Sequence, residues 1–302
     1  DNDIIIDIDV SSFYPNIAIN NGFRPEHLGK SFNKIYKNIF EERMNIPKTD
    51  IRNAIYKLML NGSFGKSGDN NSFFYDNQFL LSITVNGQLL LTMLLDKLIN
   101  VKTLKVLQTN TDGLSVMINK DYKQQVMDIC NNWEQITNLR LEYAYYKQMI
   151  IINVNNYIAE YTNNKLKYKG LFEINKELHK DNSFKIIPIA LQEYFINNIP
   201  VETTIKNHKN IYDFCGRVKS KSNSYYTFNH TVNRKAVSEK QQKNIRYFIS
   251  TNGGRLLKHY NDGRKSDVHV KYKVTIFNKY IESSDYFINY SFYIKECYII
   301  ID

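Results

Sequence analysis

Cysteine is scarce in this chain. Cys130, Cys215 and Cys297 lie far apart, and three thiols in 302 residues form neither a Cys-x-x-Cys pair nor a Cys–His cluster. This excludes a disulfide framework and a structural zinc site, and it fits a reducing cytoplasm, where we expect the protein to work. Proline and glycine are also few, 5 and 12, so no Pro/Gly-rich linker separates independent domains, and no internal repeat or low-complexity segment appears. No unbroken apolar run of about 18 residues occurs and no signal peptide opens the chain, so no membrane partner is expected. The sequence begins at Asp1 without a methionine, as an excised fragment or a processed product would.

Positive charge and aromatic rings are abundant. Forty Lys and Arg against 30 Asp and Glu leave a net charge of +10, which favours a polyanionic partner, although a ribosomal or membrane-surface protein shares that balance. The 23 Tyr and 17 Phe point toward nucleic acid, because rings give bases and sugars a surface to stack on. An AT-rich genome is the other source of such Asn, Lys, Tyr and Ile richness. The length allows a substantial core and one to three subdomains.

Asp3 to Val10 alternates, with Ile4, Ile6, Ile8 and Val10 on one face and Asp3, Ile5, Asp7 and Asp9 on the other. This pattern predicts a strand that buries one face and presents acids on the other, ended by Pro15. A helix is expected from His27 to Asn45, stopped by Pro47. A second is expected from Thr49 or Asp50, with Ile51, Ile55, Leu58 and Gly62 on its packing side. A long apolar helix follows over 79–99. Leu104–Thr109 and Leu114–Asn119 read as a hairpin around Asn110-Thr111-Asp112-Gly113. A helix over 121–138, an extended stretch over 141–161 and a Lys-rich turn ending at Gly170 come next. Beyond about Lys180, helices at 188–197 and 200–214 give way to basic, β-prone sequence.

Two segments carry an acid at a strand edge with a turn after it: Asp9-Val10-Ser11-Ser12-Phe13-Tyr14-Pro15 and Thr109-Asn110-Thr111-Asp112-Gly113. Two-metal phosphoryl transfer needs carboxylates of this kind on rigid neighbouring strands, close enough to hold ions about 3.5–4 Å apart. Between them lies Lys57-Leu58-Met59-Leu60-Asn61-Gly62-Ser63-Phe64-Gly65, in which Lys57 and Asn61 share a helix face. In this order the three segments resemble motifs A, B and C of the family B DNA polymerases, in particular phage- or plasmid-type members.

The resemblance runs over residues 1 to about 180. It implies a mixed α/β (α+β) fold: a palm with an antiparallel sheet at 1–22 and 76–179, a short two-helix fingers insertion at 23–75, and a thumb at 180–302. It implies extension of a primer 3′-hydroxyl with dNTPs on primer–template DNA, with two Mg²⁺ (Mn²⁺ as a substitute) held by Asp9, the Val10 carbonyl and Asp112. Tyr14 would lie beneath the incoming sugar and exclude a 2′-hydroxyl. Lys57, Asn61, Arg43 and Lys48 would orient the triphosphate, and Phe64 would face the nascent base pair. Tyr157, Lys167 and Lys169 would grip primer or template, and Arg246 belongs to a basic surface suited to duplex backbone. The family's amino-terminal exonuclease region does not precede Asp9 and is expected in a longer chain. The short intervals between the motifs leave little room for the insertions of protein-primed members, which implies an ordinary primer.

Besides Phe13, which stands in the Leu position of motif A, five positions depart from the family pattern. Asn110 and Gly113 replace Asp and Ser, Gly62 and Phe64 replace Ser and Tyr, and Asn155 stands in for Lys. Arg43 and Lys48 are five apart with Pro47 between them, where the family spaces them by four. A catalytically silenced DNA-binding protein of the same fold therefore stands as an alternative. A reverse transcriptase or RNA polymerase is a more distant one, since their adjacent Asp-Asp pair is not found at the hairpin.

Overall fold

The computed structural model describes residues 2–176, 181–280, 282 and 285–302. The chain divides into two compact units, one comprising the residues up to Met149 with Ala159–Lys167 and the other Ile150–Ile158 with Tyr168–Asp302. The architecture is mixed α+β with antiparallel sheets. The expected palm–thumb boundary at 179/180 falls outside the described residues.

The first unit opens with β1 (Asp3–Val10), α1 (Phe13–Asn21), α2 (Gly29–Met44), α3 (Ile51–Gly65) and α4 (Asn77–Leu98). The hairpin β2 (Lys105–Thr109) and β3 (Gly113–Asn119) follows, then α5 (Lys123–Thr137) and the strands β4 (Leu141–Asn153), β5 (Asn156–Tyr161) and β6 (Leu166–Lys169), of which residues 150–153, 156–158 and 168–169 are counted with the second unit. These strands form a six-stranded sheet in the order β2-β3-β1-β4-β5-β6. β1 pairs antiparallel with both β3 and β4. On one face Ile6, Ile8, Leu114, Val116 and Ile118 pack with Phe13, Ile17, Ile83, Leu94, Leu98 and Trp133 of the helices.

Four local expectations are corrected. Pro15 does not close a strand into a turn. Ser12 takes the left-handed conformation (φ 48°) and α1 starts at once, with Pro15 in the first turn, where its missing N–H costs nothing. The acids of β1 do not all face water: Asp7 is buried, because the side chains of Ser115, Tyr146 and Lys167 close over its carboxylate. On α3 the packing residues are Asn53 and Leu60, whereas Ile51 and Leu58 are 72% and 73% exposed. The Lys-rich turn is shorter than expected, since Leu166–Lys169 is strand. α4 is long and apolar enough to cross a bilayer by length and composition alone; Phe79, Ile83, Gly87, Leu94 and Leu98 form its buried side, and Leu81, Val85 and Leu89 are exposed.

α2 and α3 form the expected antiparallel hairpin. Asp50 caps α3 by accepting from the Arg52 amide. Tyr36 donates its hydroxyl proton to the Leu60 carbonyl at 3.0 Å. At the loop end the Asn53 amide nitrogen donates to the carbonyls of Arg43 and Ile46.

The second unit contains α6 (Ile186–Asn197), α7 (Val201–Asn207), β7 (Cys215–Lys219), β8 (Ser224–Val232), β9 (Lys235–Lys240), β10 (Asn244–Ser250), β11 (Arg255–Tyr260), β12 (Lys265–Asp267), β13 (Lys273–Ile276) and α8 (Tyr290–Ile301). Its strands make two sheets, β13-β10-β7 and β12-β11-β8-β9. Tyr293 of α8 pins the helix in place: its buried hydroxyl donates to the Phe214 carbonyl and accepts from the Ile249 amide. Helix α6 and the basic strands were anticipated; α7 ends at Asn207, short of the expected 214, and α8 was not foreseen.

Candidate active site

The β-ladders bring the two candidate acids together. Asp9 is flanked in register by Gly113 on β3 and by Glu142 on β4, so the three positions lie side by side on one sheet face. The hairpin turn carrying Asp112 is tied to β1 by the Val10 amide, which donates to the Asp112 carbonyl at 2.7 Å. Asn110 closes that turn, donating its amide to the Gly113 carbonyl and accepting from the Asp112 amide on its side-chain oxygen. This is the Asx geometry that Asn and Asp share, so Asn at position 110 keeps the turn that presents Asp112. Gly113 is required where the family pattern has Ser, because a Cβ there would run into the Ile8 carbonyl and the Asp9 carboxylate.

Negative charge is crowded here. Asp9 is raised from 3.8 to about 6, first by burial, then by Asp7 and Asp112, with Glu142 adding and Lys167 opposing. Lys48 and Lys167 offset part of this charge at Glu142 and Asp7. Among the described residues no group of three or more His, Cys, Asp or Glu is arranged to hold a metal ion. Asp9 and Asp112 offer two carboxylates, and two suit Mg²⁺, which keeps much of its water and takes further ligands from substrate phosphates.

A cleft of about 800 Å³ opens over these acids, lined by Asp9, Val10, Ser12, Tyr14, Arg43, Lys48, Asn53, Lys57, Asn61, Phe64, Asp112 and Glu142 among others. Every residue expected at the metals or the nucleotide therefore reaches one space. Tyr14, half-buried in the first turn of α1, lies 4.6 Å from the Phe64 ring. Its phenol is raised by burial and by Asp112, and lowered in part by a hydrogen bond with Thr111. Lys57 and Asn61 stand exposed on the α3 wall.

Arg43 and Lys48 reach the cleft from different supports, as their spacing implies. The Arg43 guanidinium donates to the Ser12 hydroxyl at 2.9 Å and to the Asn53 side-chain oxygen at 3.3 Å; burial lowers its pKa and Glu142 opposes that. The Lys48 ammonium donates to Glu142 at 3.3 Å, and the Ser11 hydroxyl donates to the same carboxylate at 3.0 Å. Sequence reasoning missed Glu142. It belongs to no motif, and only the pairing of β1 with β4 sets it opposite Asp9.

The residues expected to grip nucleic acid do not share that cleft. Tyr157 is buried, 6% exposed. Lys167 turns its ammonium toward Tyr146 at 3.0 Å and Asp7 at 3.5 Å. Lys169 is exposed at the end of β6. Arg246 is exposed, with its guanidinium 5.1 Å from the Tyr212 ring centre, and sits directly opposite Arg217 in the β10–β7 ladder. Like charges facing each other in a ladder are unfavourable unless an anion lies between them.

No protein-family profile matches the chain, and no curated protein matches its sequence. The fold is similar to that of the solved family B DNA polymerase from the hyperthermophilic archaeon Pyrobaculum calidifontis, with a TM-score of 0.55 and 12% identity. The match takes in 98% of this chain and 44% of that one, so the chain spans less than half the length of that polymerase. At this identity the likeness is one of backbone architecture: the chain has a polymerase-like fold.

Proposed function

We propose that the chain is the polymerising region of a template-directed DNA polymerase of the family B type. The first unit would serve as palm with the α2–α3 hairpin as fingers, and the second as thumb. One observation carries the reading: Asp9, Asp112, Tyr14, Arg43, Lys48, Lys57, Asn61 and Phe64, singled out from four separate stretches of sequence, line one cleft. Chance placement of eight such residues over a chain of this length would scatter them.

In this reading Asp9 and Asp112 hold two Mg²⁺, which when bound would activate a primer 3′-hydroxyl and offset charge on the triphosphate. Lys57 and Arg43 bring fixed positive charge to the phosphates, where charge builds as pyrophosphate leaves. Asn61 donates to sugar or phosphate. Tyr14, backed by Phe64, occupies the space that a 2′-hydroxyl needs. Ser12 and Asn53 hold the Arg43 fork, so the guanidinium loses little freedom on binding.

Extension of a labelled primer–template with Mg²⁺ and all four dNTPs tests this. Extension by the wild-type chain and its loss in both Asp9→Ala and Asp112→Ala are the expected results. Duplex binding with no incorporation would favour the silenced scaffold instead.

A further inference from the structure

The sheet face beneath the cleft holds more acid than the proposed chemistry uses. Asp7 and Asp9 alternate onto the same face of β1, with Ser115 and Ala144 in register with Asp7, and Gly113 and Glu142 in register with Asp9. Asp112 adjoins them at the hairpin. Four carboxylates thus gather at Asp7, Asp9, Asp112 and Glu142, and the protein supplies its own cation to two of them.

Those two cations are not equivalent. Lys48 and Glu142 meet in the open, with side chains 81% and 55% exposed, and such a pair exchanges partners at little cost. Lys167 meets Asp7 with side chains 31% and 6% exposed. The partners of Asp7 are all fixed. One oxygen accepts from the Ser115 hydroxyl at 2.5 Å. The other accepts from the buried Tyr146 hydroxyl at 2.9 Å and from the Lys167 ammonium at 3.5 Å. The ammonium also donates to the Tyr146 hydroxyl, so Asp7, Ser115, Tyr146 and Lys167 form one hydrogen-bonded cluster, which Gln108 joins by donating to Ser115. Removing one partner from such a pair leaves a buried charge unbalanced.

We propose that Lys167 is a positioning residue, a permanent internal cation that occupies Asp7 and so confines divalent ions to Asp9 and Asp112. This rests on the reading of the cleft as a metal-dependent site. Lys167 takes the place that a further metal ion would otherwise fill on this acidic face. It gives β6 a role in the chemistry without touching substrate, and it explains why a strand facing a metal site carries an aspartate that no ion can reach.

Binding of Mn²⁺ to the chain, read from the electron paramagnetic resonance signal of the free ion, tests the proposal without reference to turnover. Lys167→Met exposes the charge of Asp7 and is expected to bind Mn²⁺ about tenfold more tightly, or to take up an additional ion. Asp7→Asn keeps the Ser115 and Tyr146 partners, frees the charge of Lys167 beside Asp9, and is expected to shift binding the other way. The double variant is expected to return to the wild-type isotherm. A purely structural role would weaken binding in both single variants, and circular dichroism and melting curves establish that each is folded. Equal Mn²⁺ binding by wild type and folded Lys167→Met, or weaker binding in both single variants, overturns the proposal alone. No Mn²⁺ uptake by any form overturns the metal-site reading together with it.

Discussion

Asp9 bears the largest electrostatic cost in the cleft, and that cost has a sign that can be measured. Its carboxyl is raised to about 6, chiefly by burial, so the folded chain binds that proton more tightly than the unfolded chain does. The associated stability is complete below the ordinary carboxylate range and is lost as pH rises from about 4 to about 6. In metal-free buffer Asp9→Asn is expected to stabilise the chain at pH 7 but not at pH 4, by about 1 kcal/mol once solvent screening is allowed for. Thermal melts at the two pH values check this, and equal effects at both would contradict it. Gly113 gives a second residue-level test. Gly113→Ala forces a methyl group against the Ile8 carbonyl and the Asp9 carboxylate, and is expected to cost about 1–3 kcal/mol in urea unfolding while displacing Asp9. Its departure from the family pattern is thus a packing requirement of this hairpin. The same holds for Asn110, which keeps the turn through its side-chain oxygen.

Among the elements, α3 separates what sequence periodicity conveys from what it does not. Its start was legible because Asp50 is a capping residue. Its buried face was not, because the apolar stripe Ile51, Ile55 and Leu58 turned out to be the exposed one. Helical spacing shows that a face exists; the neighbouring α2, which supplies Tyr36 and Arg43, decides which face is covered. Leu60→Ala is therefore expected to cost about 2–5 kcal/mol in denaturant unfolding, against less than about 0.5 kcal/mol for Leu58→Ala. The reverse order would restore the original packing assignment. β1 and the β2–β3 hairpin were legible because alternation and an Asn-x-x-Gly turn are local signals. Glu142, the burial of Asp7 and the inward turn of Lys167 were not, since each depends on which strands pair across more than a hundred residues of chain. α1 was hidden behind Pro15, which marks a helix start as readily as a strand end.

On the scale of the whole chain, charge and fold speak to different questions. The net charge of +10 bears on affinity for a polyanion, not on which reaction follows. Arg217 and Arg246, paired side by side in the second unit, offer a direct measure of that affinity. If they contact phosphates, Arg246→Ala is expected to weaken duplex binding alike for unrelated sequences and to lower the slope of log K against log salt by about one. An unchanged slope in a fluorescence-anisotropy titration would remove Arg246 from the interface. The central claim concerns the first unit: Asp9 and Asp112 act as one reacting centre. Groups that act as a unit are lost together, so removing either is nearly as damaging as removing both. The most direct test is a double-mutant cycle on single-nucleotide incorporation at saturating Mg²⁺ and dNTP, with Asp9→Asn, Asp112→Asn and the pair. We expect each single variant to lose nearly the full rate and the double variant to lose little more. Independent, multiplying losses, or substantial incorporation by either single variant, would contradict the account.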